Sequence, residues 1–175
     1  MILNISRMVC VAAACMVGGS AFAKESNNRV AANTDWSVFT EDNPKECWAV
    51  SAPKETVNTR DGETVVVRRG EILLMVFYRP GASVKGQVAF TGGYPFASGS
   101  TAEMNVSGTK FQLFTEGEWA WPATPQDDAK IVAAMKRGAD ATLTARSGRG
   151  TQTADKFSLL GFTAAEEDAA KRCAG

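Results

Sequence analysis

Residues 56–78 read TVNTRDGETVVVRRGEILLMVFY, and this stretch decides the fold class. Asp61-Gly62 sits between two runs of strand-forming residues. Asp-Gly supplies the positive φ angles that a two-residue hairpin turn requires. Val65, Val66 and Val67 are β-branched, as a pleated strand prefers, so a hairpin is expected over Thr56–Arg60 and Glu63–Arg68. After Gly70 the chain is apolar from Ile72 to Tyr78, too short for an ordinary helix. A central strand buried on both faces is the expected reading, stopped by Arg79-Pro80-Gly81.

Strand signals continue outward in both directions. Upstream, Trp36–Thr40 and Cys47–Ser51 read as strands around the turn cluster Glu41-Asp42-Asn43-Pro44, where short polar side chains bond their own backbone and proline fixes φ. Downstream, Val84, Val88 and Phe90 share one face of a strand, opposite Lys85, Gln87 and Thr91. Met104–Val106 and Lys110–Thr115 form a second hairpin about Ser107-Gly108, with Phe111 and Leu113 alternating against Lys110 and Gln112. Asp140–Arg146 alternates strictly, and Thr151–Leu160 follows a glycine turn. Two helices interrupt this pattern. One is expected over about 124–137, with Thr124 as N-cap, Pro125 at the first helical position and Asp127 in the first turn. The other is expected over about 163–173, opened by the capping box Thr163-x-x-Glu166. Eight or nine closely spaced strands with two late helices imply a mainly β chain, a sandwich or barrel rather than a parallel α/β sheet, and of these the sandwich is the expected form.

The N-terminus carries Arg7, an apolar run from Met8 to Val17, and the small-x-small exit Ala21-Phe22-Ala23. These are the parts of a secretory signal, with cleavage expected after Ala23. The run is shorter than the ~20 residues of a spanning helix. A lipoprotein site at Cys15 is the rival reading. It lacks the usual Leu three residues earlier, so Cys10 and Cys15 read as apolar residues of the discarded segment. Residues 24–34 are polar and without period, a flexible leader. Residues 35–175 then form a single domain.

Export takes the chain from 175 residues to 152 and its net charge from 0 to −1. So balanced a charge excludes nucleic acid as a partner class, because no excess of Lys and Arg exists to neutralise phosphates. Cys47 and Cys173 are the only cysteines outside the signal. In an oxidising compartment such a pair is expected to be bridged. The chain has no histidine, which removes Ser-His-Asp, Cys-His and histidine-metal chemistry together. No cofactor or metal motif is present.

Three constellations remain. Glu116 and Glu118 flank Gly117, with Asp127 and Asp128 nearby, and a carboxylate pair is the minimum for a hydrolase. Acids at such spacings are common, however, and Asp127 already suits a helix N-terminus. Trp119 and Trp121 lie two apart on a strand, so they point the same way and form a candidate partner surface. The competing reading packs them under the helix that begins at Thr124, and Trp36 and Trp48 read as core. Lys136, Arg137, Arg146 and Arg149 form a basic cluster suited to an acidic partner or lipid headgroups, or else to a solvated face with a helix-dipole match. Asn105-Val106-Ser107 fits the glycosylation sequon but is explained as a hairpin turn.

The motifs Asp35-Trp36-x-Val38, Cys47-x-Ala49, Gly86-x-Val88, Gly150-x-x-Thr153-x-Asp155-x-Phe157-Ser158-Leu159-x-Gly161-Phe162 and the terminal Cys173 together resemble the invasion associated locus B family. The likeness covers nearly all of residues 35–173. It implies an exported, immunoglobulin-like β-sandwich of Gram-negative bacteria. Pathogen members of the family are linked with entry into host cells, many others have no assigned activity, and no catalytic residues exist to carry over. The function expected is therefore that of a non-enzymatic binding protein of the cell envelope, periplasmic or secreted, with outer-membrane association as a variant. Its partner, a protein or an envelope component, is unnamed by the sequence. A small carboxylate-dependent hydrolase acting on envelope polymer, or a purely structural envelope protein, are the alternatives.

Overall fold

A computed structural model describes residues 28–174; the signal and lipoprotein readings lie outside them. The strands in chain order are β1 (Arg29–Asn33), β2 (Trp36–Asp42), β3 (Lys45–Ser51), β4 (Glu55–Arg60), β5 (Glu63–Thr64), β6 (Leu73–Arg79), β7 (Val84–Thr91), β8 (Thr101–Val106), β9 (Thr109–Glu116) and β10 (Trp119–Trp121). Helix α1 (Pro125–Met135), strands β11 (Asp140–Arg146) and β12 (Gln152–Ser158), and helix α2 (Phe162–Cys173) complete the chain. The expected class holds: the chain is mainly β, with two helices near the expected positions.

Hydrogen bonds join the twelve strands into one sheet, in the order β1-β2-β3-β6-β7-β10-β9-β8-β11-β12-β4-β5. The sheet folds over so that its two halves face each other. Phe90 of β7 meets Phe157 of β12 edge-on, with ring centres 6.2 Å apart. The Trp36 indole N–H donates to the Ser158 carbonyl at 3.0 Å. Between the halves lie the fully buried Val38, Leu74, Val76, Met104, Leu113 and Leu143. Burying a side chain of this kind contributes roughly 1.5–3 kcal/mol.

The turn chemistry explains the hairpins. Asp61-Gly62 and Ser107-Gly108 have positive φ at both central residues, as the tight β4–β5 and β8–β9 connections need. Helix α1 starts as expected, with Thr124 Oγ1 accepting from the Asp127 N–H at 3.2 Å. Its Ile131 and Met135 are buried.

Four expectations need correction. Residues 29–33 of the supposed leader form β1, paired with β2; β2 offers a free edge, and backbone pairing needs no apolar alternation. The hairpin arm expected to reach Arg68 ends at Thr64. Beyond it the Arg69 guanidinium turns inward to Asp155 and pulls the chain off the ladder, leaving Val66 fully exposed. The capping box of α2 is not formed. Gly161 is the N-cap, with φ 88° and no side-chain cap, and a Cβ there would overlap the Asn33 carbonyl. Glu166 instead accepts from the Tyr78 hydroxyl at 2.5 Å and pairs with Lys136 at 2.7 Å. Burial and that carboxylate push the Tyr78 hydroxyl pKa well up. Finally, Trp48 is not core, as described next.

Candidate binding face

Strand alternation sorts the side chains of β2, β3, β6, β7 and β10 onto two faces. Trp36, Val38, Cys47, Ala49, Leu74, Val76, Val88, Phe90 and Ala120 point inward and are buried. Helix α2 covers this inner face: Trp36 packs edge-on against Phe162, ring centres 4.8 Å apart, and Cys173 is bonded to Cys47 with Cα atoms 5.8 Å apart. The residues between them point outward, where neither helix lies over the aromatic rings. Phe39, Trp48 and Phe77 are successive partners in the register of β2, β3 and β6. Phe39 and Trp48 stack with ring centres 5.7 Å apart, Phe77 lies tilted against Trp48 at 6.1 Å, and the Arg79 guanidinium lies 4.6 Å from the centre of Phe77.

A bulge at Gly86 sets the phase of the next strand. Phe77 pairs with Gln87 but Tyr78 pairs with Lys85, so Gly86 is the extra residue, with φ 76°, a conformation glycine adopts without strain. The shift keeps Gln87, Ala89 and Thr91 on the outer face. Trp119 pairs with Thr91, and both Trp119 and Trp121 project outward on either side of buried Ala120. Trp121 stands opposite Phe114 of β9. Trp119 is 39% exposed and Phe114 57%. Six aromatic side chains thus cross six neighbouring strands on one uncovered face.

Trp121 separates two clefts on this face. One, of about 450 Å³, is lined by Phe114, Trp121, Pro122, Thr124, Gln87 and Asp128. The other, of about 250 Å³, is lined by Phe77, Arg79, Gln87, Ala89, Trp119 and Trp121. Gln87 is common to both, and its carboxamide makes no hydrogen bond within the described residues. Asp128 is only 7% exposed. Strand β10 is three residues long and leaves the start of β7 without a neighbour on that side, so the Val88 N–H donates to Asp128 Oδ1 instead, at 2.8 Å. The second carboxylate oxygen has no partner among the described residues. Burial raises the Asp128 pKa, the Val88 N–H opposes that rise, and the nearby Asp127 charge adds to it.

Of the carboxylates named from sequence, only Asp128 lines either cleft. Glu116 and Glu118 are exposed at the β9–β10 turn and line neither cleft. Asp127 accepts from Thr124 and Lys130, chiefly Lys130, and these bonds hold its pKa below the usual range. The basic cluster is split. Lys136 pairs with Glu166 and Glu167, while Arg146, at the far end of β11, borders a separate cleft with Arg60. Among the described residues no group of His, Cys, Asp or Glu is placed to hold a metal ion.

Trp119 and Trp121 were legible as a same-face pair, and helix α1 does not bury them. Phe39, Phe77 and Phe114 escaped the sequence reading, Trp48 was read as core, Asp128 was named only beside a carboxylate pair, and Gln87 was placed on the outer face without a role. The signal for Phe39 and Trp48 lay in their position between core residues, and that for Phe114 in its phase with Lys110 and Gln112.

The model of the family described as Invasion associated locus B (IalB) protein matches residues 36–170. The crystal structure of invasion associated protein b from Bartonella henselae superposes with a TM-score of 0.54 at 14% identity, covering 79% of this chain and 94% of that one; at that identity the likeness speaks for the fold. No curated protein matches the chain. A family match over most of the chain decides membership: this chain belongs to the invasion associated locus B family.

Proposed function

We propose that this family member is an exported, non-enzymatic binding module of the cell envelope that engages its partner through the aromatic outer face. The observation that carries this is the run of six aromatic side chains across β2, β3, β6, β7, β10 and β9 on a face that neither helix covers. Aromatic side chains are the anchors on which binding energy concentrates, and a single-chain protein rarely leaves so many in register without use. The buried disulfide supports an oxidising compartment. Asp127 is held by Thr124 and Lys130, and Glu116 and Glu118 line neither cleft, which favours binding over hydrolysis.

A photo-crosslinking residue placed at 119 in living cells should give one discrete product, absent when the crosslinker is moved to the exposed Val57 on β4 and lost on Trp121→Ala. Identical patterns from 119 and 57 would overturn the assignment of this face. Export has its own readout. Mass spectrometry of the processed protein should find Lys24 at the N-terminus; an intact Met1 or a lipid-modified Cys15 would refute it.

A further inference from the structure

We propose that the twin clefts about Trp121 bind an uncharged glycan at least two pyranose units long, stacked on Trp119 and Trp121 and hydrogen-bonded by Gln87 and Asp128. This rests on the aromatic face being the binding surface and adds the class of ligand.

A pyranose ring has an apolar C–H face and a rim of hydroxyls. Its C–H groups suit the electron-rich face of an indole, and its rim needs donors and acceptors at the edge of that platform. Both are present. Gln87, between the clefts, offers a donor and an acceptor and is unpartnered within the described residues. Asp128 is more than nine-tenths buried, lines the larger cleft, and has one oxygen committed to Val88 and one left over as an acceptor. The larger cleft, about 450 Å³, lies in the range of small-molecule sites. The smaller one continues it past Trp121, so a second ring can follow the first.

Other occupants fit less well. An apolar protein surface would seal the Gln87 amide and the free Asp128 oxygen from water with nothing to bond them. A proline-rich peptide presents mostly carbonyl acceptors, which would set acceptor against acceptor at Asp128. An acidic sugar would bring a second negative charge to the larger cleft. In the smaller one, Arg79 is already paired with Glu46 at 3.3 Å.

The test exposes the purified protein to a printed array of short neutral oligosaccharides, with an acidic set and a proline-rich decapeptide alongside. The best-bound glycan is then titrated against tryptophan fluorescence. Binding to neutral glycans is expected, at least about tenfold weaker for Trp121→Ala and about fivefold weaker for Gln87→Ala. Gln87 has no partner among the described residues, so Gln87→Ala should melt with the parent and stays informative even if Trp121→Ala fails to fold. Binding unchanged by either substitution, binding only to the acidic set, or binding only to the peptide would overturn the proposal. A blank array together with a discrete crosslink from position 119 to a protein would also overturn it, while leaving the aromatic face itself standing.

Discussion

Cys47→Ser and Cys173→Ser should each lower the unfolding free energy by roughly 4–5 kcal/mol, the largest effect expected of any single substitution here. The bond joins residues 126 apart in sequence, and in the chain-entropy model a loop of that length restricts the unfolded state by about that much. The folded state accommodates the bond because α2 presents Ala165 and Ala169, both fully buried, on the helical stripe leading to Cys173. Small side chains let the helix approach β3 closely. The double substitution should cost little more than either single one, since each removes the same bond. Denaturant midpoints without reductant check this. A double variant losing about twice a single one would refute a shared bond, and two reactive thiols in unreduced, unfolded protein would refute any bond.

Asp155→Ala should cost about 3–5 kcal/mol, because it leaves a buried guanidinium without its counter-charge. Arg69 and Asp155 side chains are 6% and 0% exposed, and two charge-assisted bonds of 2.7 and 2.6 Å join them. Arg69 also donates to the Gly92 carbonyl at 2.8 Å and lies 5.0 Å from the centre of the Tyr94 ring. It therefore ties the 65–72 segment, the loop after β7 and β12 together at the closure between the halves of the sheet. Replacing both charges by Met and Leu should recover much of the loss, since no orphaned charge remains. The converse variant tests the sign of the electrostatics. Burial already raises the Asp155 pKa despite the Arg69 guanidinium, whose bonds pull it down. Arg69→Met removes that opposing pull, so the folded state then holds a proton that the unfolded chain, with an ordinary carboxylate pKa of about 3.9, has lost. Stability of this variant should fall as pH rises from the ordinary carboxylate range through the raised folded pKa, and return on acidification. Urea midpoints at pH 5 and pH 8 decide it. A midpoint higher at pH 8 would contradict the burial argument.

The aromatic face shows why a binding surface of this kind is hard to see along the chain. Each of its six rings comes from a different strand except the Trp119/Trp121 pair, which share β10. Phe39 and Trp48 are nine residues apart, but Phe77 and Phe114 are far away, and only the strand order β2-β3-β6-β7-β10-β9 lines them up. Within each strand, an outward aromatic between inward apolar residues looks like continuous core. Cys47-Trp48-Ala49 and Met75-Val76-Phe77 both read as buried runs for that reason. Asp128 was hidden differently. In sequence it is one more acid in the first turn of a helix; its burial follows from the short length of β10, which leaves the Val88 N–H for it to accept.

Local chemistry was determined by the residues themselves. Asp61-Gly62 and Ser107-Gly108 set their turns through positive φ, Thr124-Pro125 started α1 through capping, and the alternation of Asp140–Arg146 set which side chains of β11 face the core. The isolated pair Cys47 and Cys173 already implied a bond joining the first strands to the last helix. These features depend on neighbours a few residues away, or on a count, and so can be read along a line. What needed the tertiary structure were the features whose partners are distant in sequence: β1 as a strand rather than a leader, the inward turn of Arg69 that ends β5 early, the recruitment of Glu166 away from a capping box by Tyr78 and Lys136, and the outward placement of Trp48. In each, a long-range hydrogen bond or the free edge of another strand outweighed a local preference worth about 1 kcal/mol, and no pattern in the sequence says where that edge or that partner will lie.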